Sequence, residues 1–567
     1  MMKTKFLGLL ALTIGFCIGL TANAAGQPGF ELRTLSVKEY RDKMKGGWIG
    51  QIAGVCWGAP TEFQYQERII PEDKMPTWKP EMINNAFGQD DLYVEMTFLR
   101  SMEEYGLDVS IRQAGIDFAN SGYPLWHANV AGRRNLRAGI APPDSSHPKF
   151  NEHADDIDYQ IEADFSGLIA PGLPTTVIEM GDKFGRLMNY GDGMYAGVFV
   201  GAMYSEAFFE TDLIKIINKG LAAIPADCQY AEMVRDLLKW YEEEPNDWEK
   251  TWQKIEDKYQ KNPDYRRFNC DPGKFNIDAK INGAYILMGM LYGKGDLDKT
   301  IIISTRCGQD SDCNPSSAAG VLFTTLGFSN LPSRFSEKLD ETKVFSHTAY
   351  NFPALLDVCE KLAKQAVWKE GGAVMKDNDG NEFFLIPVKK PVLGPTMKSW
   401  EPGPIADSKF TEAEMKQIKV REFIDIQNAV SHKFPGWKII DCGPDMNPGL
   451  LGDFRGRESV LLTHPKERGV ACVLVREIDV PKDKKTTLNL AVSHYETGDW
   501  DLIVKADAKD ILKTTIGKDS VATNGWLDVP VDLTPYAGKK IKVELLNQPN
   551  GWSFEAGYWS KIETISQ

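Results

Sequence analysis

The sequence predicts a mainly α-helical domain followed by an all-β domain of the sandwich or jelly-roll type. Three observations support this fold class: the length of the chain, a helical period in its first two thirds, and a period of two near its end. A chain of 567 residues exceeds the size of one ordinary hydrophobic core. Apolar residues recur every three to four positions up to about residue 366, and they alternate with polar residues after about residue 420. We therefore expect at least two domains of different class.

The first domain is predicted over residues 25–370. Apolar faces at helical spacing are clearest in four segments, which are residues 111–120, 231–241, 278–291 and 355–367. Residues 371–419 are expected to contain a hairpin and a linker. An Asp-Gly pair at 379–380 lies between two apolar runs, which is a hairpin signal, and five prolines follow between positions 387 and 404.

The second domain is predicted over residues 420–567 as a β-sandwich. Short apolar or alternating runs, separated by turn residues, occur at 471–475, 487–492, 502–504, 527–529 and 541–545. The segments 532–539 and 558–562 resemble galactose-binding-like jelly rolls. Four tryptophans either stack on sugar rings or belong to the core of the sandwich, and the second interpretation is favoured: Trp500, Trp526, Trp552 and Trp559.

The start of the chain predicts a secretory signal peptide over residues 1–24. Lys3 and Lys5 precede an apolar run at 6–20, and Ala22-Asn23-Ala24 provides a small-x-small cleavage site. The apolar run is too short to span a bilayer, and no later segment is long and apolar enough. We therefore expect an exported protein, periplasmic or extracellular, without a membrane span.

Composition excludes several classes of function. A formal net charge of −14 argues against binding to nucleic acid. Nine cysteines without CxxC spacing argue against a disulfide scaffold, although Cys307 and Cys313 lie close enough in sequence to pair. Seven histidines without HExxH or other paired spacing argue against a histidine-based zinc hydrolase.

Two acidic clusters lie far apart in the chain, and each stands at a predicted loop-to-helix junction. The first is Gln-Asp-Asp at residues 89–91, and the second is Asp-Ser-Asp-Cys-Asn at residues 310–314. Carboxylates gathered at helix starts predict a hard-cation site, because Mg²⁺ and Ca²⁺ take oxygen ligands. The alternative is simple N-capping, for which Asp is a preferred residue. A third motif upstream favours the metal site.

This third motif is a glycine-rich helix that leads to a glutamate. Glycine occupies every fourth position of the helix: Gly46, Gly50, Gly54 and Gly58. Each glycine inside a helix costs roughly 1 kcal/mol relative to alanine, so four of them indicate the close approach of a neighbouring backbone. Pro60 ends the helix and Glu62 follows. Glu62 is either a surface residue beside a packed helix or a carboxyl group presented by a rigid element.

Together these motifs resemble the ADP-ribosylglycohydrolase family over roughly residues 36–365. Residues 58–62 match its Gly-x-Pro-x-Glu motif, and residues 89–91 match part of its Thr-Asp-Asp motif. Residues 309–314 match part of its Gly-Asp-x-Asp-Thr-Asn motif, and residues 189–197 are similar to its Asn-Gly loop. The sequence departs from the family where Val55 replaces an aspartate and where Gln89 and Cys313 replace threonines.

The resemblance implies an all-α catalytic domain of the ADP-ribosylglycohydrolase fold with a bound divalent cation. Mg²⁺ is expected, in one or two copies, and Ca²⁺ stays open. The expected metal ligands are Gln89, Asp90, Asp91, Asp310, Asp312 and Cys313. The expected catalytic residues are Glu62, as general acid and base, and Asp91. The expected substrate-binding residues are Asp164, Tyr195 and Asn314. Asp164 lies in an acidic segment, residues 153–165. This segment is either a solvated helix face or part of the substrate site.

The expected function is an exported, metal-dependent glycoside hydrolase. Its substrate would be a ribosyl or furanosyl compound, either an ADP-ribosyl conjugate or a glycan, cleaved at an N- or O-glycosidic bond. A carboxylate pair assists such cleavage because the transition state resembles an oxocarbenium ion. The alternative is a non-catalytic sugar-binding protein with a degenerate hydrolase domain, which the three departures at Val55, Gln89 and Cys313 would explain.

Overall fold

The structure is a computed structural model of the chain, and it describes residues 31–269, 273–419, 426–443, 445–446 and 448–567. The predicted signal peptide, residues 1–24, lies outside the described residues. A helical domain is followed by an antiparallel β-sandwich, so the predicted fold class is confirmed. Within the described part of the chain, no helix has both the length and the apolar character needed to cross a bilayer.

Sixteen of the described helices belong to the first domain. Their bounds are α1 (Val37–Gly58), α2 (Asp90–Tyr105), α3 (Ile111–Asn120), α4 (His127–Arg137), α5 (Asp158–Ile161), α6 (Asp164–Leu168), α7 (Pro174–Lys183), α8 (Asp192–Ala207), α9 (Leu213–Ala222), α10 (Gln229–Glu243), α11 (Trp248–Ile255), α12 (Ala279–Gly293), α13 (Leu297–Arg306), α14 (Cys313–Leu326), α15 (Phe352–Lys369) and α16 (Glu412–Met415). The four segments predicted from helical spacing form α3, α10, α12 and α15.

The glycine-rich face of α1 packs against the backbone of α14. A Cβ atom at Gly54 would lie 2.3 Å from the carbonyl oxygen of Pro315, and one at Gly58 would lie 2.0 Å from that of Ser311. Added Cβ atoms at Gly46 and Gly50 would lie 2.7 and 2.4 Å from backbone carbonyl oxygens of the same helix. Such distances leave no room for a side chain, which explains why this helix accepts four glycines. The contact fixes the end of α1 against the start of α14.

A hairpin follows α15 and pairs with the first described strand. Strands β2 (Ala373–Lys376) and β3 (Glu382–Pro387) are antiparallel, and β3 also pairs with β1 (Leu32–Ser36). Gly380 stands in the turn with φ of +85°, a backbone conformation that favours glycine. The Asp-Gly hairpin signal therefore coincides with an observed turn.

The proline-rich segment after this hairpin runs across the helical domain as a strap. The Asp144 carboxylate accepts the backbone N–H groups of Ala406 and Ser408 at 2.8 and 2.7 Å. The Arg112 guanidinium forms an ion pair with Glu414 at 2.5 Å. Side chains of the helical domain thus satisfy the backbone of the strap, so this segment is not the free linker that its prolines suggested.

In the second domain, the described residues form ten strands and one α-helix. Helix α17 (Ile426–Lys433) precedes β4 (Lys438–Ile440), β5 (Gly449–Phe454), β6 (Arg457–Thr463), β7 (Cys472–Asp479), β8 (Thr486–His494), β9 (Trp500–Ala506), β10 (Lys509–Ile516), β11 (Leu527–Asp532), β12 (Lys540–Gln548) and β13 (Gly557–Ser566). The sheets have the orders β10-β9-β12-β7-β4 and β11-β8-β13-β6-β5. Alternate residues of both sheets fill the core between them, where the rings of Trp500 and Trp559 lie 5.3 Å apart.

Candidate active site

Two loops that bind each other hold Glu62 beside the second acidic cluster. The backbone N–H of Phe63 donates to the carbonyl oxygen of Gln309 at 3.0 Å. The hydroxyl groups of Thr61 and Ser311 share a hydrogen bond of 2.9 Å. Because the glycine contact between α1 and α14 ends at this point, the loop after α1 and the loop before α14 have a fixed separation. Glu62 is therefore held by a rigid element, which agrees with the second of the two interpretations given from the sequence.

Both acidic clusters stand at helix starts, but neither forms a conventional cap. Asp90 and Asp91 occupy the first turn of α2, and Asp312 directly precedes α14. The side chains of the two cap residues, Gln89 and Asp312, form no capping hydrogen bond. Asp91, Asp310 and Asp312 are at most 3% exposed. Capping does not require such burial, so N-capping alone does not explain the clusters.

The carboxyl groups of the two clusters affect one another's ionisation. Burial, followed by the charge of Asp312, raises the pKa of Asp90 to about 6. Burial and the charge of Asp90 raise the pKa of Asp91, and burial followed by Asp312 raises the pKa of Glu62 and of Asp310. These mutual effects arise because the two clusters lie close together in the fold. We call these five residues the acidic centre.

The acidic centre suits a divalent cation. Both carboxylate oxygens of Asp91, and Oδ1 of Asp310, are buried with no hydrogen-bond partner among the described residues. Ligand atoms of Asp310, Asp312 and Cys313 lie within 4.8 Å of one another. Buried carboxylates without partners are costly unless a cation neutralises them, and oxygen donors suit Mg²⁺ or Ca²⁺. Asp90, Asp91, Asp310 and Asp312 would hold the ion, with Gln89 at the cavity edge.

Cys313 fits a hard-cation site least well of the six expected ligands. Its sulfur lies 3.8 Å from Oδ1 of Asp312. Burial, followed by the charge of Asp310, raises the pKa of the thiol and disfavours the thiolate that metals bind. Cys307 and Cys313 are both free and buried, so the disulfide that their spacing allowed is absent.

A cavity opens onto the acidic centre, and both domains line it. The helical domain contributes Glu62, Gln89, Asp90, Trp126, His127, Asp158, Asp310 and Cys313 to its lining. The β-sandwich contributes Asp445, Met446, His464, Tyr495, Trp552 and Phe554. Asp91 and Asp312 are not among the lining residues, and the expected catalytic role of Asp91 stays a prediction. No sequence pattern indicated the β-sandwich residues, apart from the interpretation of Trp552 as a sugar-stacking residue.

The other three tryptophans singled out from the sequence are core residues. Trp500, Trp526 and Trp559 are at most 2% exposed, whereas Trp552 is half-buried at the cavity. Trp126 of the helical domain packs against residues of the sandwich, including Met446. The two domains therefore meet around the cavity.

The acidic segment at residues 153–165 is buried, so its interpretation as a solvated helix face is wrong. Asp158 accepts the backbone N–H groups of Ala128 and Asn129 at 3.3 and 2.8 Å, at the start of α4. This hydrogen bonding orients the cavity wall that carries His127, because His127 is the first residue of the same helix.

The fold also brings together histidines that are far apart in sequence. A ring nitrogen of His127, one of His153 and a carboxylate oxygen of Asp156 lie within 4.8 Å of one another, which is compatible with a metal ion. Nδ1 of His153 already shares a 2.9 Å hydrogen bond with Asp156. Burial lowers the pKa of His127 to about 3 and also lowers the pKa of His464. Both histidines that line the cavity are therefore neutral near pH 7.

The three expected substrate-binding residues do not line this cavity. Asp164 is fully buried, and its carboxylate accepts hydrogen bonds from Tyr204 at 3.0 Å and Ser317 at 3.3 Å. The hydroxyl of Tyr195 accepts a hydrogen bond from the strap at a separate cavity. Asn314 is fully buried and donates to Asn282 at 2.9 Å. Asp164 and Asn314 thus form hydrogen bonds within the core, and Tyr195 contacts the strap.

Three solved structures are similar to parts of this chain. An "ADP-ribosylglycohydrolase-related protein complex" has 14% identity and a TM-score of 0.38, covering 58% of this chain and 99% of that one. "CBM35 from Paenibacillus barcinonensis" has 9% identity and a TM-score of 0.18, covering 24% of this chain and 96% of that one. "CBM51 from Clostridium perfringens GH95 in complex with methyl-galactose" has 15% identity and a TM-score of 0.16, covering 23% and 88%. No curated protein matches this sequence.

The family comparison covers most of the helical domain. The model of the ADP-ribosylglycohydrolase family matches residues 36–371, which include both acidic clusters and Glu62. This match agrees with the resemblance expected from the sequence motifs, and it supports a hydrolase-like function on glycosyl bonds. The chain therefore belongs to the ADP-ribosylglycohydrolase family.

Proposed function

We propose that this protein is an exported, metal-dependent hydrolase that cleaves an N- or O-glycosidic bond of a ribosyl or furanosyl substrate. The observation that carries the proposal is the position of Glu62. Its half-buried carboxyl group lines a cavity next to carboxylates that lack partners of their own. A proton donor and a cation site within one cavity are the two parts that such a reaction needs.

Glu62 has the properties of a general acid. Burial and the neighbouring carboxylates raise its pKa, which keeps the group protonated and able to donate near neutral pH. It would transfer this proton to the leaving-group atom as the bond to the anomeric carbon breaks. The sugar passes through an oxocarbenium-like state, and a water molecule adds to the anomeric carbon. Deprotonated Glu62 can then receive the proton of that water.

A divalent cation, when bound, would fix sugar hydroxyl groups and polarise a water molecule. The acidic centre provides the charge that holds such an ion, and the contacts between the loops keep its carboxylates in place. Gln89 lies at the cavity and offers an amide oxygen, as expected when it replaces a threonine. Mg²⁺ is the proposed ion because every donor except Cys313 is an oxygen.

Chelation of the purified full chain tests the proposal. The 4-nitrophenyl α- and β-ribofuranosides and arabinofuranosides are suitable substrates, because the released nitrophenolate is measured directly. We expect hydrolysis that is lost with EDTA and restored by Mg²⁺. Hydrolysis that EDTA leaves unchanged would contradict the proposed role of the metal.

A non-catalytic sugar-binding protein is the second candidate, and Val55 and Cys313 favour it. Val55 is fully buried in α1, where the family has an aspartate, and Cys313 is a poor ligand for a hard cation. Binding of these furanosides without hydrolysis under any metal condition would support this candidate instead.

Export is proposed from the first 24 residues alone. Two lysines, an apolar run and a small-x-small site have the order of a cleavable signal. Expression of the full chain in a bacterial host, with N-terminal sequencing of the periplasmic fraction, provides the test. We expect the mature protein to begin after Ala24, whereas an intact N-terminus in the cytoplasmic fraction would contradict export.

A further inference from the structure

Three aromatic side chains of the β-sandwich face the acidic centre across the cavity. We call Tyr495, Trp552 and Phe554 the aromatic wall. The rings of Tyr495 and Phe554 stack with their centroids 4.8 Å apart and an interplanar angle of 12°. All three residues are half-buried, so part of each side chain remains accessible. Accessible aromatic faces in a concave site bind apolar faces of ligands, including the C–H faces of sugar rings.

The loop that carries two of these rings is held in shape by a buried carboxylate. Glu555 is 1% exposed, and its side chain accepts the backbone N–H groups of Gly551 at 2.8 Å and Asn550 at 3.2 Å. A Cβ atom at Gly498 would lie 2.2 Å from the carbonyl oxygen of Phe554, so the Tyr495 loop and the Phe554 loop touch through their backbones. The aromatic wall is therefore formed before any ligand binds.

The aromatic wall lies close to the catalytic carboxyl groups. Burial, followed by the charges of Asp90 and Glu62, raises the pKa of Tyr495 to about 12. Tyr495 lines the same cavity as Glu62 and Asp90, so both domains surround one site. A substrate bound at Glu62 would extend directly onto the β-sandwich.

The charge of the cavity selects against anionic ligands. Its lining contains five acids, which are Glu62, Asp90, Asp158, Asp310 and Asp445, and no lysine or arginine within the described part of the chain. A phosphate group carries a charge of about −1.5 to −2 at neutral pH, and its recognition relies on Arg, Lys or helix N-termini. The helix starts at this cavity already carry acids: Asp90 begins α2, Asp312 precedes α14, and Asp158 accepts the first N–H groups of α4. Because Glu62 holds a proton near neutral pH, the negative charge comes from the other acids, and one divalent cation would compensate only part of it.

We infer that the β-sandwich forms one wall of the active site and binds the leaving group of an uncharged glycoside, so that neutral glycosides are preferred over phosphate-bearing ADP-ribosyl conjugates. This inference rests on the proposed function, because it assigns a substrate class to the same cavity. Glu62 acts on the glycosidic bond, and the aromatic wall binds the group on the far side of that bond. Trp552 is the residue of this wall that determines specificity.

A matched pair of substrates tests the charge preference in the full chain with Mg²⁺. The probes are 4-nitrophenyl ribofuranoside, in both anomers, and the corresponding 5-phosphates. We expect kcat/KM to be at least about tenfold higher for the neutral compound, since one like-charge contact in a partly buried site has an effect of this order. Equal or higher kcat/KM for the phosphate would overturn the inference.

Substitution of the tryptophan tests the wall itself. Trp552→Ala should raise KM for the neutral nitrophenyl glycoside about three- to tenfold and leave kcat and the affinity for Mg²⁺ unchanged, since one aromatic contact is lost. Trp368→Ala is the matched control, because Trp368 is 77% exposed on the helical domain and is not one of the residues that line the cavity. An unchanged KM in Trp552→Ala, or a fall in kcat alone, would contradict a binding role.

Calorimetric binding separates this inference from the proposed function. If neither compound is hydrolysed, binding of the neutral glycoside that weakens in Trp552→Ala supports the neutral subsite and refutes the hydrolase. If neither compound binds, the inference fails as well.

Discussion

The two sides of the cavity are built on different physical principles. The helical wall contains the acidic centre, and the sandwich wall contains the aromatic wall of Tyr495, Trp552 and Phe554. The helical wall carries carboxyl groups at or near helix starts, fixed by close backbone packing, and Asp91, Asp310 and Asp312 are at most 3% exposed. The sandwich wall carries aromatic rings on loops, and these rings are half-exposed. Buried charge needs rigid support because its displacement is costly, whereas an aromatic face tolerates small movements. Under the proposed function, catalysis belongs to the helical wall and ligand recognition to the sandwich wall of the same cavity.

Glu62→Gln should separate the two walls most strongly. The amide keeps the size of the side chain but cannot donate a proton near neutral pH, so we expect hydrolysis to fall about 10²- to 10⁴-fold. Binding of the neutral glycoside to the aromatic wall should persist. Rates from nitrophenolate release and affinities from calorimetry provide the measurement. Wild-type rates in this variant would remove Glu62 from the mechanism.

Gly54→Ala tests the rigid support of the helical wall. The added Cβ would lie 2.3 Å from the carbonyl oxygen of Pro315, so α1 and α14 must move apart. Overpacking of this kind costs up to about 3 kcal/mol, and we expect a lower Tm for the helical domain in calorimetry. Gly122→Ala is the control, since no atom lies within 4 Å of its added Cβ. Equal Tm values for the two variants would show that the glycine contact is not needed.

Asp310→Asn should weaken the cation site without affecting the aromatic wall. Replacing a charged ligand by an amide should lower the affinity for Mg²⁺ by roughly tenfold or more, and added Mg²⁺ should partly restore activity. Asp379→Asn, on the exposed hairpin, is the matched control. An Asp310→Asn enzyme that requires no more Mg²⁺ than the control would exclude this aspartate as a ligand.

Asp155→Asn examines a buried acid that belongs to neither wall. Burial raises the pKa of Asp155 to about 7, and its carboxylate accepts a hydrogen bond from Ser399 of the strap. Because this pKa is higher in the folded state than in the unfolded state, protonation of Asp155 contributes stability to the fold at low pH. This contribution is lost as pH rises towards 7. The variant should remove this loss, at most about 1.4 kcal/mol per pH unit.

The measurement for this variant is Tm from pH 5 to pH 8. We expect the Tm of Asp155→Asn relative to wild type to increase as pH rises, because only the wild type loses the contribution of protonated Asp155. Lys280 is not left unpaired in the variant, since Asp278 lies 3.1 Å from it. A constant difference between the two proteins at every pH would show that Asp155 does not titrate in this range.

The helical wall could be predicted from sequence because its parts are short and local. Glycines every four residues, paired acids at helix starts and a glutamate after a proline are each visible within about 20 positions. The two clusters were assigned to one site through the family resemblance, and their carboxyl groups do affect one another in the structure. The expected substrate contacts of Asp164 and Asn314 stay predictions, since both side chains are fully buried and do not line the cavity.

The sandwich wall could not be predicted because domain docking leaves no periodic signal. Tyr495 and Phe554 come from loops more than 400 residues after Glu62 along the chain. A tryptophan in a core and one at a cavity look alike in sequence, so Trp552 could not be separated from Trp500. The prolines of the strap suggested a linker because hydrogen bonds to distant side chains, such as Asp144, are not visible in composition.

A crystal structure of the full chain with Mn²⁺ in place of Mg²⁺ tests the central claim most directly. The anomalous signal of manganese identifies the ion independently of water. We expect a peak between the two acidic clusters, about 2 to 2.6 Å from carboxylate oxygens of Asp90 or Asp91 and of Asp310 or Asp312. A peak at His127, His153 and Asp156 instead, or no peak near the acidic centre at saturating Mn²⁺, would contradict the account.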